Sequence, residues 1–223
     1  MEGRAHLQES SISQYALGAQ GTSACTAIAC HAAAAILALV DAGAPITTPA
    51  LDAIVRAGVE VSALDAHMDF PNAWMLSGLE AALLPLNMGA ETQGLLTTPG
   101  ALEELCAAAR AQARGARPGA HVAVVLTKPP ETVCLILPPE GGAGGGRFVL
   151  FDSHPRVGVP HAYAFEAATQ AGLLQRVREV LPPLPPEGDD EEAVMAVAMY
   201  NMFEGTFLVQ RGEGGGGAPV APP

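Results

Sequence analysis

Residues 21–40 read GTSACTAIACHAAAAILALV, and the order of residue types in this stretch decides the fold. From Cys25 onward, alanine, isoleucine and leucine favour an α-helix. A helix that is apolar on every side has to be buried. Gly43 and Pro45 in DAGAP then stop it. Gly21, Thr22, Ser23 and Ala24 make a small-residue approach that leaves room beside the helix start. A cysteine in that first position sits among unpaired N–H groups and partial positive charge, which lower a thiol's pKa and stabilise an adjacent anion. Taken alone, Cys25 reads as a small buried hydrophobe. What raises it above that is its company elsewhere in the chain.

Working outward, TTPALDAIVRAGVEV (47–61) predicts a second helix, with Thr48 as cap and Pro49 in the first turn. GALEELCAAARAQAR (100–114) predicts a third, ended by Gly115 and Pro118. The pattern then changes to short β-prone runs: HVAVVLT (121–127), TVCLILP (132–138) and RFVLFDS (147–153). KPPE links the first two, and EGGAGGG (140–146) reads as a flexible hairpin loop before the third. A further strand is expected at HAYAF (161–165), helix over 166–180, an acidic proline-rich loop at LPPLPPEGDDEE, helix in EEAVMAVAMYNMF, and a closing strand at GTFLVQR (205–211). Helices first and an antiparallel sheet after them make an α+β domain. Its expected extent is 12–211, between a flexible N-terminus (1–11) and a disordered Gly/Pro tail (212–223).

Composition narrows the function classes. Hydrophobic residues make up 49% of the 223 and charged residues 15%, enough apolar material for a real core. Aromatics are 4%, so that core is expected to be alanine, leucine and valine. The formal net charge is −12 and no Lys/Arg cluster occurs, which argues against a nucleic-acid role. An acidic surface favours a partner with a basic patch. The four cysteines form no C-x-x-C pair, which points to a reduced, intracellular chain of the cytoplasm or nucleus. MEGRAHLQESS lacks the apolar stretch of a signal peptide, and Thr26–Val40 is short for a membrane span and contains His31. A soluble monomer without membrane contact is expected.

Thiol-based acyl transfer needs a base to hold the thiolate and protonate the leaving amine, and donors for the oxyanion. The base candidate is His154 in Phe-Asp-Ser-His-Pro-Arg (151–156). Strand alternation would put Asp152 and His154 on one face, where the carboxylate orients the imidazole. Pro155 holds His154 in an extended conformation. By itself an Asp-x-His also fits a strand-end turn or half a metal site. A zinc site on Asp152, His154 and His161 would lack cysteine ligands at suitable spacing. Gln14 and Gln20 are the candidate side-chain donors to the oxyanion, alongside the Cys25 N–H. A glutamine before a helix-opening cysteine, with a histidine on a late strand, is the papain-like order. His31 reads as structural, Cys30, Cys106 and Cys134 as inert core, His121 and His161 as packed or solvated, and Trp74 as core or partner surface.

QYALGAQGTSACTAIA, LDAIVRAGVEV, HVAVVLT followed by RFVLFDSHPR, and FEGTFLVQ resemble, in this order, the deubiquitinating protease domain of herpesvirus large tegument proteins and the tegument-like deubiquitinases found outside viruses. The likeness spans most of residues 12–210, with the Cys and Asp-x-His blocks its specific parts. It implies a papain-like cysteine protease fold with Cys25 as nucleophile, His154 and Asp152 completing the triad, and Gln14 rather than Gln20 in the oxyanion hole. The family's glutamine generally lies a little farther from its cysteine than Gln14 does here. The implied substrate is ubiquitin, in some members also NEDD8, cut after the C-terminal Gly-Gly without a cofactor. The competing expectations are a papain-like peptidase, amidase or acyltransferase on another substrate, and a silent ubiquitin-binding module.

Overall fold

The β-prone runs of the second half form the centre of a sheet, and their alternation sorts side chains into two cores. The computed structural model describes residues 5–62, 83, 86–140, 146–185 and 191–211. Within them the strands are β1 (His6–Glu9), β2 (Leu86–Leu95), β3 (Val122–Lys128), β4 (Glu131–Leu137), β5 (Phe148–Asp152), β6 (Tyr163–Ala167) and β7 (Met202–Gln210). They lie in the order β1-β6-β5-β4-β3-β7-β2, every neighbouring pair antiparallel. Helices α1 (Cys25–Asp41) and α2 (Thr48–Ser62) cover one face, α3 (Ala101–Ala116) and α4 (Gln170–Val180) the other. A last helix, α5 (Glu191–Asn201), runs straight into β7.

Alternation is visible residue by residue. Ala123 and Val125 of β3, Cys134 and Ile136 of β4, and Val149 and Phe151 of β5 join the core under α1. Val124, Leu126, Val133, Leu135 and Leu150 join the core under α3 and α4. On α1, Ile28, Ile36 and Leu37 are fully buried, each contributing about 1.5–3 kcal/mol by its burial. Helices α1 and α2 approach closely because Gly58 has no side chain: a Cβ there would lie 2.4 Å from the Ile28 Cα. The apolar run after Cys25 is therefore a buried central helix, and it begins at the cysteine.

The α+β reading holds, with four differences. Residues 6–11 are not a flexible terminus: β1 pairs with β6, and Asp52 of α2 accepts hydrogen bonds from the Ser10 hydroxyl, the Ser11 N–H (2.7 Å) and the Ser11 hydroxyl (2.6 Å). Gln14–Ser23, for which no regular element was expected, coils into 3₁₀ turns broken at Gly18, whose φ is 79°. β2 had no counterpart in the sequence reading, because as an edge strand it lacks a buried face to write an alternation. β6 begins two residues later than HAYAF, and α4 only at Gln170, where the Thr169 hydroxyl accepts from the Gly172 N–H at 3.1 Å. Trp74, residues 141–145 of the glycine-rich loop and the tail 212–223 lie outside the described residues.

Candidate active site

The first turn of α1 meets the sheet at the open ends of β4 and β5. Cys25 is the first residue of α1 and almost fully buried. Its Sγ lies 3.9 Å from the Pro130 carbonyl, in the turn between β3 and β4. Thr26 binds the hydroxyl of Thr132 at 3.0 Å, and Thr132 in turn touches the Thr127 hydroxyl at 3.1 Å. These contacts pin the helix start to the end of β4. The approach to the helix depends on Gly21, where a Cβ would lie 1.8 Å from the Gln14 carbonyl oxygen.

His154 stands opposite, just beyond the end of β5, and is buried like its partner Asp152. The two meet because the chain turns, not because strand alternation continues. Asp152 Oδ1 accepts from the His154 main-chain N–H at 2.9 Å and lies 2.7 Å from Nδ1 of the ring. This is an Asx-type turn, in which the carboxylate folds the chain back on itself. The other carboxylate oxygen accepts from Arg156 Nε at 2.7 Å, and the Tyr163 hydroxyl is 3.4 Å away. Arg156 also reaches both oxygens of Glu131, at 3.1 and 2.9 Å.

Electrostatics follow from this geometry. Burial pushes the Cys25 thiol up, but a hydrogen bond to His154, the imidazolium charge and contacts from Thr132 together outweigh it, leaving the thiol below its ordinary value. Burial works against a charged His154 as well. Its hydrogen bonds to Asp152 and Cys25, and their charges, win and raise it to about 9. For Asp152 burial raises the pKa, while His154 and Arg156 bring the net value below the usual carboxylate range. The two shifts run in opposite directions, the thiol down and the imidazole up, and so both favour the thiolate–imidazolium pair over the neutral one. The other three cysteines go the opposite way: burial drives Cys30 to about 12, Cys106 to about 11 and Cys134 well above its ordinary value.

The two glutamines separate. Gln20 is exposed, while Gln14 is fully buried. Oε1 of Gln14 accepts from the Ser153 hydroxyl at 2.7 Å, and its main-chain N–H donates to the Ser153 carbonyl at 3.3 Å. Among the described residues its Nε2 has no hydrogen-bond partner. A buried amide N–H₂ without an acceptor is unfavourable by about 1–3 kcal/mol unless something fills the gap. The neighbouring Tyr15 ring, half exposed, has its centroid 6.2 Å from that of His154.

Of the bystanders, His31 faces α2 beside Ala53, Ile54 and Ala57, His121 pairs with Asp41 at 2.6 Å, and His161 lies 3.8 Å from Glu9. The sequence reading did not single out Thr132, Ser153, Glu131 or Arg156. Arg156 stood inside the quoted FDSHPR block, and a charge in so apolar a neighbourhood was its available signal.

Fold and site together define a papain-like α+β domain with cysteine, histidine and aspartate brought together where α1 meets the sheet. Among solved structures, the chain is similar to the ubiquitin-specific protease encoded by murine cytomegalovirus tegument protein M48, solved in complex with a ubiquitin-based suicide substrate. The TM-score is 0.54 and the identity 14%, covering 93% of this chain and 88% of that one. At that identity the likeness shows the fold. No family model matches the sequence, and no curated protein matches it.

Proposed function

We propose that this chain is a deubiquitinase that hydrolyses the isopeptide bond after the C-terminal Gly-Gly of ubiquitin through a Cys25–His154–Asp152 triad. The observation that carries the reading is the convergence of three things: a thiol at a helix start, an imidazole held by a buried carboxylate, and the unpartnered buried amide of Gln14. The ubiquitin preference draws its support from the fold of the M48 protease and from the motifs Gly21–Cys25 and Asp152–His154.

In this reading the Cys25 thiolate attacks the carbonyl carbon of the terminal glycine. The Gln14 Nε2–H and the Cys25 N–H receive the oxyanion. His154 gives its proton to the departing lysine amine, the C–N bond breaks, and a thioester remains on Cys25. Neutral His154 then takes a proton from water, which attacks the thioester and releases the carboxylate and the thiol. Asp152 keeps the ring oriented and its charge stabilises the imidazolium. Small residues at the helix approach, Gly21 and Ser23, suit a tail that ends in two glycines. A reducing compartment keeps a catalytic thiol and three further free cysteines unoxidised, and we place the protein inside the cell on that ground.

Covalent capture by a ubiquitin bearing a C-terminal electrophile tests this directly. The wild type is expected to gain one ubiquitin mass, and folded Cys25→Ala none. A folded wild type that gains no mass overturns the ubiquitin reading; capture by the corresponding NEDD8 probe alone would move the substrate to that modifier.

A further inference from the structure

The two halves of the site belong to separate segments. Cys25 touches the β3–β4 turn, whereas His154 and Asp152 sit where β5 ends. One side chain joins these segments. Arg156 Nε is 2.7 Å from Asp152 Oδ2, and its two terminal nitrogens bind the two oxygens of Glu131 at 3.1 and 2.9 Å. Glu131 lies between Pro130, whose carbonyl is 3.9 Å from Sγ, and Thr132, whose hydroxyl is 3.0 Å from that of Thr26, the residue next to the nucleophile. The arginine is itself held, since its main chain exchanges hydrogen bonds with Val159 at 2.8 and 2.9 Å, and its side chain is only 20% exposed.

We propose that Arg156 is a positioning residue, a two-ended clamp that fixes the His154 loop against the turn that touches Cys25. This rests on the roles given above to Cys25 and His154. The planar guanidinium presents donors in a rigid fork, so it can satisfy two carboxylates in different directions at once. With Oδ2 of Asp152 taken by Arg156, Oδ1 stays on His154. Without the fork, the carboxylate is free to rotate away from the ring, and Glu131 loses its tie to the opposite segment. The remaining groups around the pair are Tyr163 of β6, with Arg176 of α4 at 3.1 Å from its hydroxyl, Thr132 of β4 and the ring of Tyr15. None of these bridges the two segments in this way.

The test reads the thiol and the imidazole themselves and needs no modifier. Site-resolved alkylation of Cys25 by iodoacetamide across pH gives the thiol's titration, and the ring resonances of His154 give the imidazole's. In Arg156→Gln the thiol value is expected to rise and the imidazole value to fall from about 9 toward its ordinary range. Below the thiol's pKa the alkylation rate follows the thiolate fraction, so it should drop about 10-fold for each unit by which the thiol value rises. Glu131→Gln should move both groups in the same opposed directions by less, and Arg156→Lys should recover part of the loss.

A simple charge effect behaves otherwise. Removing a positive charge raises both values together, and removing the negative charge of Glu131 lowers both together. Such parallel shifts, or no shift at all, in variants that melt as the wild type does would overturn the clamp. Failure of the ubiquitin probe, by contrast, removes the substrate and leaves this titration readable.

Discussion

Two turns of one helix hold two buried cysteines with opposite chemistry. Cys25 and Cys30 are five residues apart on α1, the first 8% exposed and the second not at all. Desolvation pushes both thiols up. Cys30 packs with Cys134 and Ile136 under the sheet and rises to about 12. Cys25 meets His154 and Thr132 at the end of the sheet and falls below its ordinary value. Burial alone therefore makes a thiol inert. Polar company at the helix start, where the macrodipole also favours an anion, shifts the balance toward the thiolate.

The same substitution at both turns should break the symmetry most sharply. Cys25→Ser keeps the shape and removes the thiolate, so ubiquitin cleavage should fall at least about 10³-fold, since the hydroxyl is a far weaker nucleophile. Cys30→Ser should leave kcat/KM of the folded protein unchanged. A fluorogenic ubiquitin substrate measures both. Equal activity of wild type and Cys25→Ser would move the chemistry away from this helix.

The glutamines offer a second contrast, smaller in size. Gln14→Ala should lower kcat about 10²- to 10³-fold with little change in KM, the effect of removing one oxyanion donor. Gln20→Ala, at an exposed position, should be silent. Loss at Gln20 instead would reassign the donor. The pH profile sharpens the comparison further. Cys25 is depressed, so thiolate is lost only as pH falls through that lowered value; His154 is raised, so its proton is lost as pH rises through about 9. Activity should form a bell between those limits. Cys25 should also alkylate at a pH below the ordinary thiol range of about 8.5, where Cys30 and Cys134 stay unmodified.

How much of this was legible in the sequence depended on whether local pattern carried the information. The apolar run from Cys25 specified a buried helix and its first residue, and VAVVL and VCLIL specified central strands, because both faces of those strands are covered. β1 and β2 were missed because HLQE and LNMGAETQGL lie at the two edges of the sheet, where no buried face imposes a pattern. Gln14 was preferred to Gln20 only through the family resemblance, because nothing local in its polar segment signals burial; the 3₁₀ turn is what folds it under Ser153. The Asp152–His154 contact was anticipated for the wrong reason: alternation was expected, and an Asx turn brings it about. Arg156 and Glu131 are 25 residues apart, and it is the antiparallel pairing of β4 with β5 that brings the start of one beside the end of the other.

The smallest effect completes the contrast between the two turns. Cys30→Ser buries a hydroxyl among Ile136, Cys134 and the alanines of α1, with no acceptor better than the helix's own carbonyls. Such a group destabilises by about 1–3 kcal/mol, which thermal or denaturant unfolding resolves as a lower midpoint. Cys25→Ser puts its hydroxyl beside the Pro130 carbonyl and His154, where partners exist, so its midpoint should stay closer to wild type. The two variants should thus exchange rank between assays: Cys25→Ser worst in turnover, Cys30→Ser worst in stability. If Cys30→Ser instead lost turnover at an unchanged midpoint, the second turn would be acting on the nucleophile through the helix. The chemistry of Cys25 could then no longer be ascribed to its polar neighbours alone.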